Sequence, residues 1–198
     1  MTRQTFVKIF YINMQPMLMY ASEIWGTERL DNIERVRMMA CKRFLGVPQK
    51  TPNKMVYGEL GRYPLFVNST LRCLKYWLRV LKMEDSRIPK QAYKMMISMN
   101  ESEQKYWVTE VKNVLSRNGF YCVWLQQEVG DEKKFLSELK QRLLDIFIQD
   151  LDTTIRDKDR YFPYRHVKSV FEPETTSQCT TIFIATVYFL EAEIVCFV

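Results

Sequence analysis

The stretch FLGVPQKTPNKMVYGELGRYPL, residues 44–65, constrains the fold more than any other part of the chain. Gly46, Gly58 and Gly61 are interleaved in it with Pro48, Pro52 and Pro64. Proline breaks a helix from within, but its fixed φ suits the first helical turn, and glycine is the commonest residue just past a helix end. Gly46-Val47-Pro48 therefore closes one helix. Thr51 as N-cap and Pro52 at the first helical position open a short one over Asn53 to Leu60, which stops at Gly61. Pro64 opens the next. Two restarts and a stop this close together make a defined corner between helices rather than a loose linker.

Helical periodicity flanks the corner on both sides. Phe6, Ile9, Phe10, Met14, Met17 and Leu18 recur at helical spacing, with Pro16 predicting a break between a helix to Met14 and a second one from Gln15 or Pro16 to Trp25, stopped by Gly26. Over residues 28–45, Leu30, Ile33, Val36, Met39/Ala40 and Phe44 form the expected buried stripe, with Arg29, Arg35, Arg37, Lys42 and Arg43 polar. From Pro64 to Met83, Leu65, Val67, Leu71, Leu74, Trp77/Leu78 and Leu81 define an amphipathic helix. Pro89 opens a helix to Met99 using Ala92, Tyr93, Met95 and Met96. Asn100 with Glu103 resembles a capping box ahead of a helix carrying Trp107, Val108, Val111, Val114 and Leu115, closed by Asn118-Gly119. A short helix or tight turn holds Phe120, Val123, Trp124 and Gln127. Asp131 caps a helix over residues 132–151 with Phe135, Leu139, Leu143, Ile146, Phe147 and Leu151 on one face, and a last helical stretch runs on from Ile155, interrupted at Pro163. The expected class is all-α: a multi-helix bundle with an atypical hydrophobic C-terminal tail. That tail, TTIFIATVYFLEAEIVCFV, is β-branched and aromatic, and is read as a strand or hairpin or as a disordered segment. Its apolar run, Ile182 to Leu190, is shorter than the ~20 residues of a membrane span.

Charge divides the chain into three. Residues 1–82 carry 14 Lys and Arg against 5 Asp and Glu, residues 83–172 carry 15 of each, and residues 173–198 carry 3 acids and no base. The expected organisation follows: a basic helical segment holding the corner, a neutral helical segment and a divergent tail. A concentrated basic excess attracts phosphate backbones, and a solvated basic face with no partner is the ordinary alternative. On the helix after Pro64, Arg72, Lys75, Arg79 and Lys82 stand at three- and four-residue steps around Tyr76, a pattern that suits backbone neutralisation with base stacking; a half-buried Tyr76 beside Lys and Arg stems is the structural alternative.

Several chemistries find no residues. The 5 cysteines are scattered without a CxxC pair, and His166 is the single histidine, so free thiols in a reducing, intracellular setting (cytoplasm or nucleus) are expected and no metal site. No Ser–His–Asp set and no phosphate-binding glycine loop can be built. Asp145, Asp150, Asp157 and Asp159, set among Arg142, Arg156, Lys158 and Arg160, read as surface ion pairs rather than a metal set. No cofactor, no small-molecule substrate and no catalysis by this chain alone are expected.

PMLMYASEIWG (16–26), IERVRMMACKRFLGVPQKTPN (33–53), YGELGRYPL (57–65) and CLKYWLRVL (73–81) resemble the region after the polymerase domain of non-LTR, LINE-type retrotransposon reverse transcriptases. GFYCVW (119–124), FLSELKQRLLDIFIQD (135–150) and RYFPYRHVKSVFEPE (160–174) resemble the C-terminal portion of the same family. The likeness covers roughly residues 7–174, and TPNKMVYGELGRYPL is its most specific piece. It implies a helical thumb and connection region that cradles template and primer, within a protein that carries an endonuclease and an RNA-directed DNA polymerase. The Mg-binding aspartate pair of that polymerase would lie upstream of Met1, so no catalytic residue carries over. From about Thr175 the sequence departs from the family. The implied partner is RNA or an RNA–DNA hybrid, with Arg35, Lys42, Arg43, Lys50, Lys54, Arg62, Arg72, Lys75 and Arg79 as candidate phosphate contacts chosen by position and charge. A helical protein-interaction module with an inert basic face, and a non-functional translated transposon remnant, stay open beside it.

Overall fold

The computed structural model describes residues 3–27, 31–99, 106–158 and 161, and every regular element among them is helical. In chain order these are α1 (Arg3–Ile9), a π-helical turn (Phe10–Met14), α2 (Gln15–Leu18), α3 (Ser22–Trp25), α4 (Asp31–Leu45), α5 (Asn53–Leu60), α6 (Leu65–Leu81), α7 (Ile88–Met99), α8 (Trp107–Arg117), α9 (Tyr121–Gln126) and α10 (Glu132–Asp157). The all-α class is confirmed. The hydrophobic tail, the Asn100/Glu103 box, Pro163 and His166 lie outside the described residues.

The helices form two compact units, each discontinuous in sequence. Among the described residues, the first takes 3–18, 31–64, 145–158 and 161, and the second takes 19–27, 65–99 and 106–144. Packing thus divides the chain differently from charge.

The first unit is built on the corner. Met38, Cys41 and Leu45 of α4, Met55, Val56, Tyr57 and Leu60 of α5, and Phe147 and Leu151 of α10 bury one apolar cluster, with Val47 and Tyr161 completing it. Phe6 stacks on Phe44, with ring centroids 4.2 Å apart, and Tyr57 meets Phe147 edge-on at 5.4 Å. Gly61 ends α5 at φ +60, where an L side chain is strained, and the Arg62 N–H donates to the Tyr57 carbonyl at 3.2 Å in a Schellman closure. Val47 N–H closes α4 in the same way on the Lys42 carbonyl at 3.1 Å.

In the second unit α6 is the central rod. Cys73, Leu74, Trp77, Leu78 and Val80 are buried on it, as are Val108, Val111 and Leu115 of α8 and Phe135 and Leu139 of α10. Trp77 stacks on Trp124 at 6.2 Å with 22° between the ring planes. Its Nε1–H donates to the Tyr93 hydroxyl at 3.0 Å, which in turn donates to Gln127. The Ser69 hydroxyl donates to the Gly26 carbonyl at 2.8 Å, tying the end of α3 to α6. Asp131 caps α10 as expected, its Oδ1 accepting from the Lys133 and Lys134 N–H groups at 2.9 and 3.0 Å.

Several local expectations need correction. The break assigned to Pro16 does not occur there. A π turn over Phe10–Met14 precedes the proline, and the chain breaks after Leu18, with Ala21 at φ +54 before α3. A proline that cannot donate to the preceding turn is accommodated by widening that turn. Thr51 is not the N-cap of α5: it lies buried in a turn, its N–H bonded to the Pro48 carbonyl at 3.0 Å, and Pro52 occupies the cap position. The buried face of α4 is turned from the expected stripe, of which Ile33, Ala40 and Phe44 are half-buried. Val36 and Met39 are 46% and 41% exposed, whereas Arg37, Met38, Cys41, Lys42 and Leu45 are buried. Arg37 is the reason: hydrogen-bonded and paired, its guanidinium is carried inside and brings the next residues of that face with it. On α7 only Tyr93 is buried, and on α10 Ile146 is exposed. Helix α10 runs past the expected end at residue 151 and on through Ile155, for 26 residues in all.

Candidate nucleic-acid interface

The nine candidate cations divide between the units. Arg72, Lys75 and Arg79 belong to the second. On α6 they stand three and four residues apart, so all face the same way, opposite the buried Leu74, Trp77 and Leu78. All three are exposed. Arg72 donates to the Met19 carbonyl at 3.1 Å, which fixes its guanidinium, and among the described residues neither Lys75 nor Arg79 makes an ion pair. Tyr76 is half-buried, with its ring 5.8 Å from that of Trp107, so it packs within the unit rather than standing free for a base. Lys82, next in the row, pairs with Glu132 at 2.9 Å.

Arg35, Lys42, Arg43, Lys50, Lys54 and Arg62 belong to the first unit. Three of them, Arg35, Lys42 and Lys54, line one cleft of about 540 Å³ between α4 and α5, together with Asp31, Glu34, Met38, Met39, Gln49, Asn53 and Tyr57. Arg35 is exposed at its rim. Lys42 is only 7% exposed, and its ammonium donates to the Gln49 carbonyl at 2.8 Å. Burial pulls its pKa below the usual lysine value. Lys54 pairs with Asp150 and lies 5.6 Å from the centre of the Phe147 ring; burial lowers its pKa, and the charge of Lys158 adds to the effect. Arg43 and Lys50 are exposed away from the cleft lining, and Arg62 is half-buried.

Behind the cleft lies a charged network that the spacing of residues did not disclose. Arg37, 2% exposed, donates to Glu34 at 3.1 Å and to the Tyr63 carbonyl at 2.6 Å, with the Phe10 and Tyr57 rings 5.7 and 5.8 Å from its guanidinium carbon. The Tyr57 hydroxyl donates to Glu34 at 2.7 Å. Burial, then the Glu34 charge and hydrogen bond, push the Tyr57 pKa well above the usual tyrosine value. Glu34 and Arg37 are i,i+3 neighbours on α4, and the packing of α5 against α4 adds Tyr57 to them.

Among the described residues no three His, Cys, Asp or Glu side chains gather as a metal site, and no helix is long and apolar enough to cross a membrane. Of the carboxylates near the end of α10, Asp152 pairs with Arg156 at 2.6 Å and Asp150 with Lys54, while Asp159 and Arg160 lie outside the described residues. Comparison with protein-family models, with curated proteins and with solved structures finds no match.

Proposed function

We propose that the chain is a helical module that binds nucleic-acid backbone, of the kind that follows the polymerase domain in non-LTR retrotransposon reverse transcriptases, with RNA or an RNA–DNA hybrid as its partner. The role is binding rather than catalysis. The observation that carries it is the exposed row Arg72, Lys75 and Arg79 on α6. Seven helical steps span about 10 Å, the axial length of roughly three phosphates of one strand. The sequence likeness around the corner and along α6 supports the same reading. Fluorescence anisotropy with a labelled RNA–DNA hybrid at about 50 and 200 mM salt tests it. Three neutralised phosphates give a slope of log K against log salt of about −2 to −3. Binding without salt dependence overturns the reading.

A second reading, a protein-interaction module, is favoured by α7. Ile88, Ala92, Met95 and Met99 recur on it at four-, three- and four-residue steps, and all are exposed. Reversing Arg72, Lys75 and Arg79 to glutamate separates the two: hybrid binding collapses under the first and is unchanged under the second.

A further inference from the structure

The cleft between α4 and α5 contains a charge that no carboxylate among the described residues pairs with. Lys42 is buried, and its bond to the Gln49 carbonyl uses one of three N–H donors. A buried cation without a counter-charge is unfavourable, and an anion bound beside it relieves that penalty. The other cleft groups follow along α4 in a definite order: Lys42, then Met39 and Met38, then Arg35, then Glu34, which is already bonded to Arg37 and Tyr57, then Asp31. That order is an anion site, an apolar polarizable floor, a planar cation and a carboxylate. Thioethers make favourable contacts with aromatic rings, and guanidinium planes stack on them. From Lys42 to Arg35 is about 10 Å along the helix, and the cleft volume falls within the ordinary ligand-site range of roughly 300–1,000 Å³.

We propose that this cleft binds one nucleotide, with its phosphate at Lys42, its base on Met38 and Met39 beneath Arg35, and an exocyclic amine of the base donating to Asp31. The nucleotide is either a free 5′-monophosphate or the 5′-phosphorylated end of a strand. The choice of a nucleotide rests on the backbone-binding reading above, but the site belongs to the other unit and uses none of the α6 row.

The test is NMR of the full chain with isotope-labelled methionine methyls, using AMP, adenosine and inorganic phosphate as probes. AMP shifts the Met38 and Met39 methyls, and adenosine binds about tenfold more weakly for lack of the charged contact. Lys42→Met removes the charge while keeping an unbranched apolar stem of similar size, so the fold survives. It weakens AMP about tenfold, as does the surface change Arg35→Gln. Adenosine binding as tightly as AMP, or AMP affinity unchanged in Lys42→Met, overturns the proposal. A 5′-phosphorylated RNA oligonucleotide that moves the same methyls identifies the strand end as the ligand; movement with AMP alone identifies the free nucleotide. The AMP shifts persist in the chain with Arg72, Lys75 and Arg79 replaced, and their loss there overturns a separate site. AMP shifts without any hybrid binding overturn the α6 interface and leave the cleft standing.

Discussion

Replacing Glu34 by glutamine tests the network that turns α4 inward. The change keeps the side-chain volume and removes the carboxylate that Arg37 pairs with among the described residues; Arg37 is 2% exposed against 16% for Glu34, with 3.1 Å between the paired atoms. At an effective dielectric of about 20 the gross attraction at that distance is about 5 kcal/mol, most of it offset by desolvation. Breaking a fully buried pair costs about 3–5 kcal/mol. Here Glu34 keeps some solvent, and Arg37 keeps the Tyr63 carbonyl and two ring faces, so the expected loss is about 2–3 kcal/mol. Arg37→Met removes the charge that required pairing and costs about 1–2 kcal/mol. The double variant is less destabilised than the sum of the singles by about 2 kcal/mol, the coupling energy of the pair. Urea unfolding followed by far-UV CD reads this as a midpoint shift on the order of 1 M for Glu34→Gln. Additive single effects, or a Glu34→Gln midpoint equal to that of the parent chain, refute the reasoning.

Three further outcomes follow. Gly26→Ala puts a Cβ 2.2 Å from the Ser22 carbonyl oxygen and 2.7 Å from that of Ser69, so stability falls by about 2–3 kcal/mol in the same urea assay. Asp131→Ala frees two N–H groups at the start of α10 and lowers stability by about 1 kcal/mol. Burial pushes the Cys41 thiol from 9.0 up to about 11 and the Cys73 thiol up to about 12. A thiol whose pKa is raised by folding contributes stability that is intact below its unfolded pKa and is lost as pH rises through the folded one. Unfolding midpoints therefore fall above pH 9, by about 1.4 kcal/mol per thiol near pH 10, and Cys73→Ala flattens the decline. Lys42 and Lys54, whose folded pKa values are lowered, work in the opposite direction and offset part of it.

The parts of the fold that could be read from sequence are those where one short-range rule acts alone. The glycine stops at Gly46 and Gly61, the Asp131 cap and the buried faces of α6 and α8 follow from backbone chemistry and period. The face of α4 did not, because a period rule places every arginine outside, whereas Arg37, beside Glu34 on the same helix, finds the Tyr63 carbonyl and the Phe10 and Tyr57 rings through tertiary packing. Helix α7 lies where Pro89 places it, but its buried face differs for the converse reason: its methionines are apolar and periodic, yet Met95 is 59% exposed. Of the candidate cations, the α6 row was legible as a row because three- and four-residue steps share a helix face. The cleft was not, since Lys42, Lys54 and Tyr57 converge only through tertiary packing and their sequence spacing carries no sign of it.

The Trp77–Trp124 stack has an optical consequence. Two indoles held at 6.2 Å and 22° couple their intense far-UV transitions, so the CD spectrum carries a paired-chromophore contribution from this contact beside the helix bands. The signal requires fixed ring geometry, not helix content, and it disappears when side-chain packing loosens while the helices persist. The second unit thus contains its own spectroscopic gauge of tertiary order, read without any label.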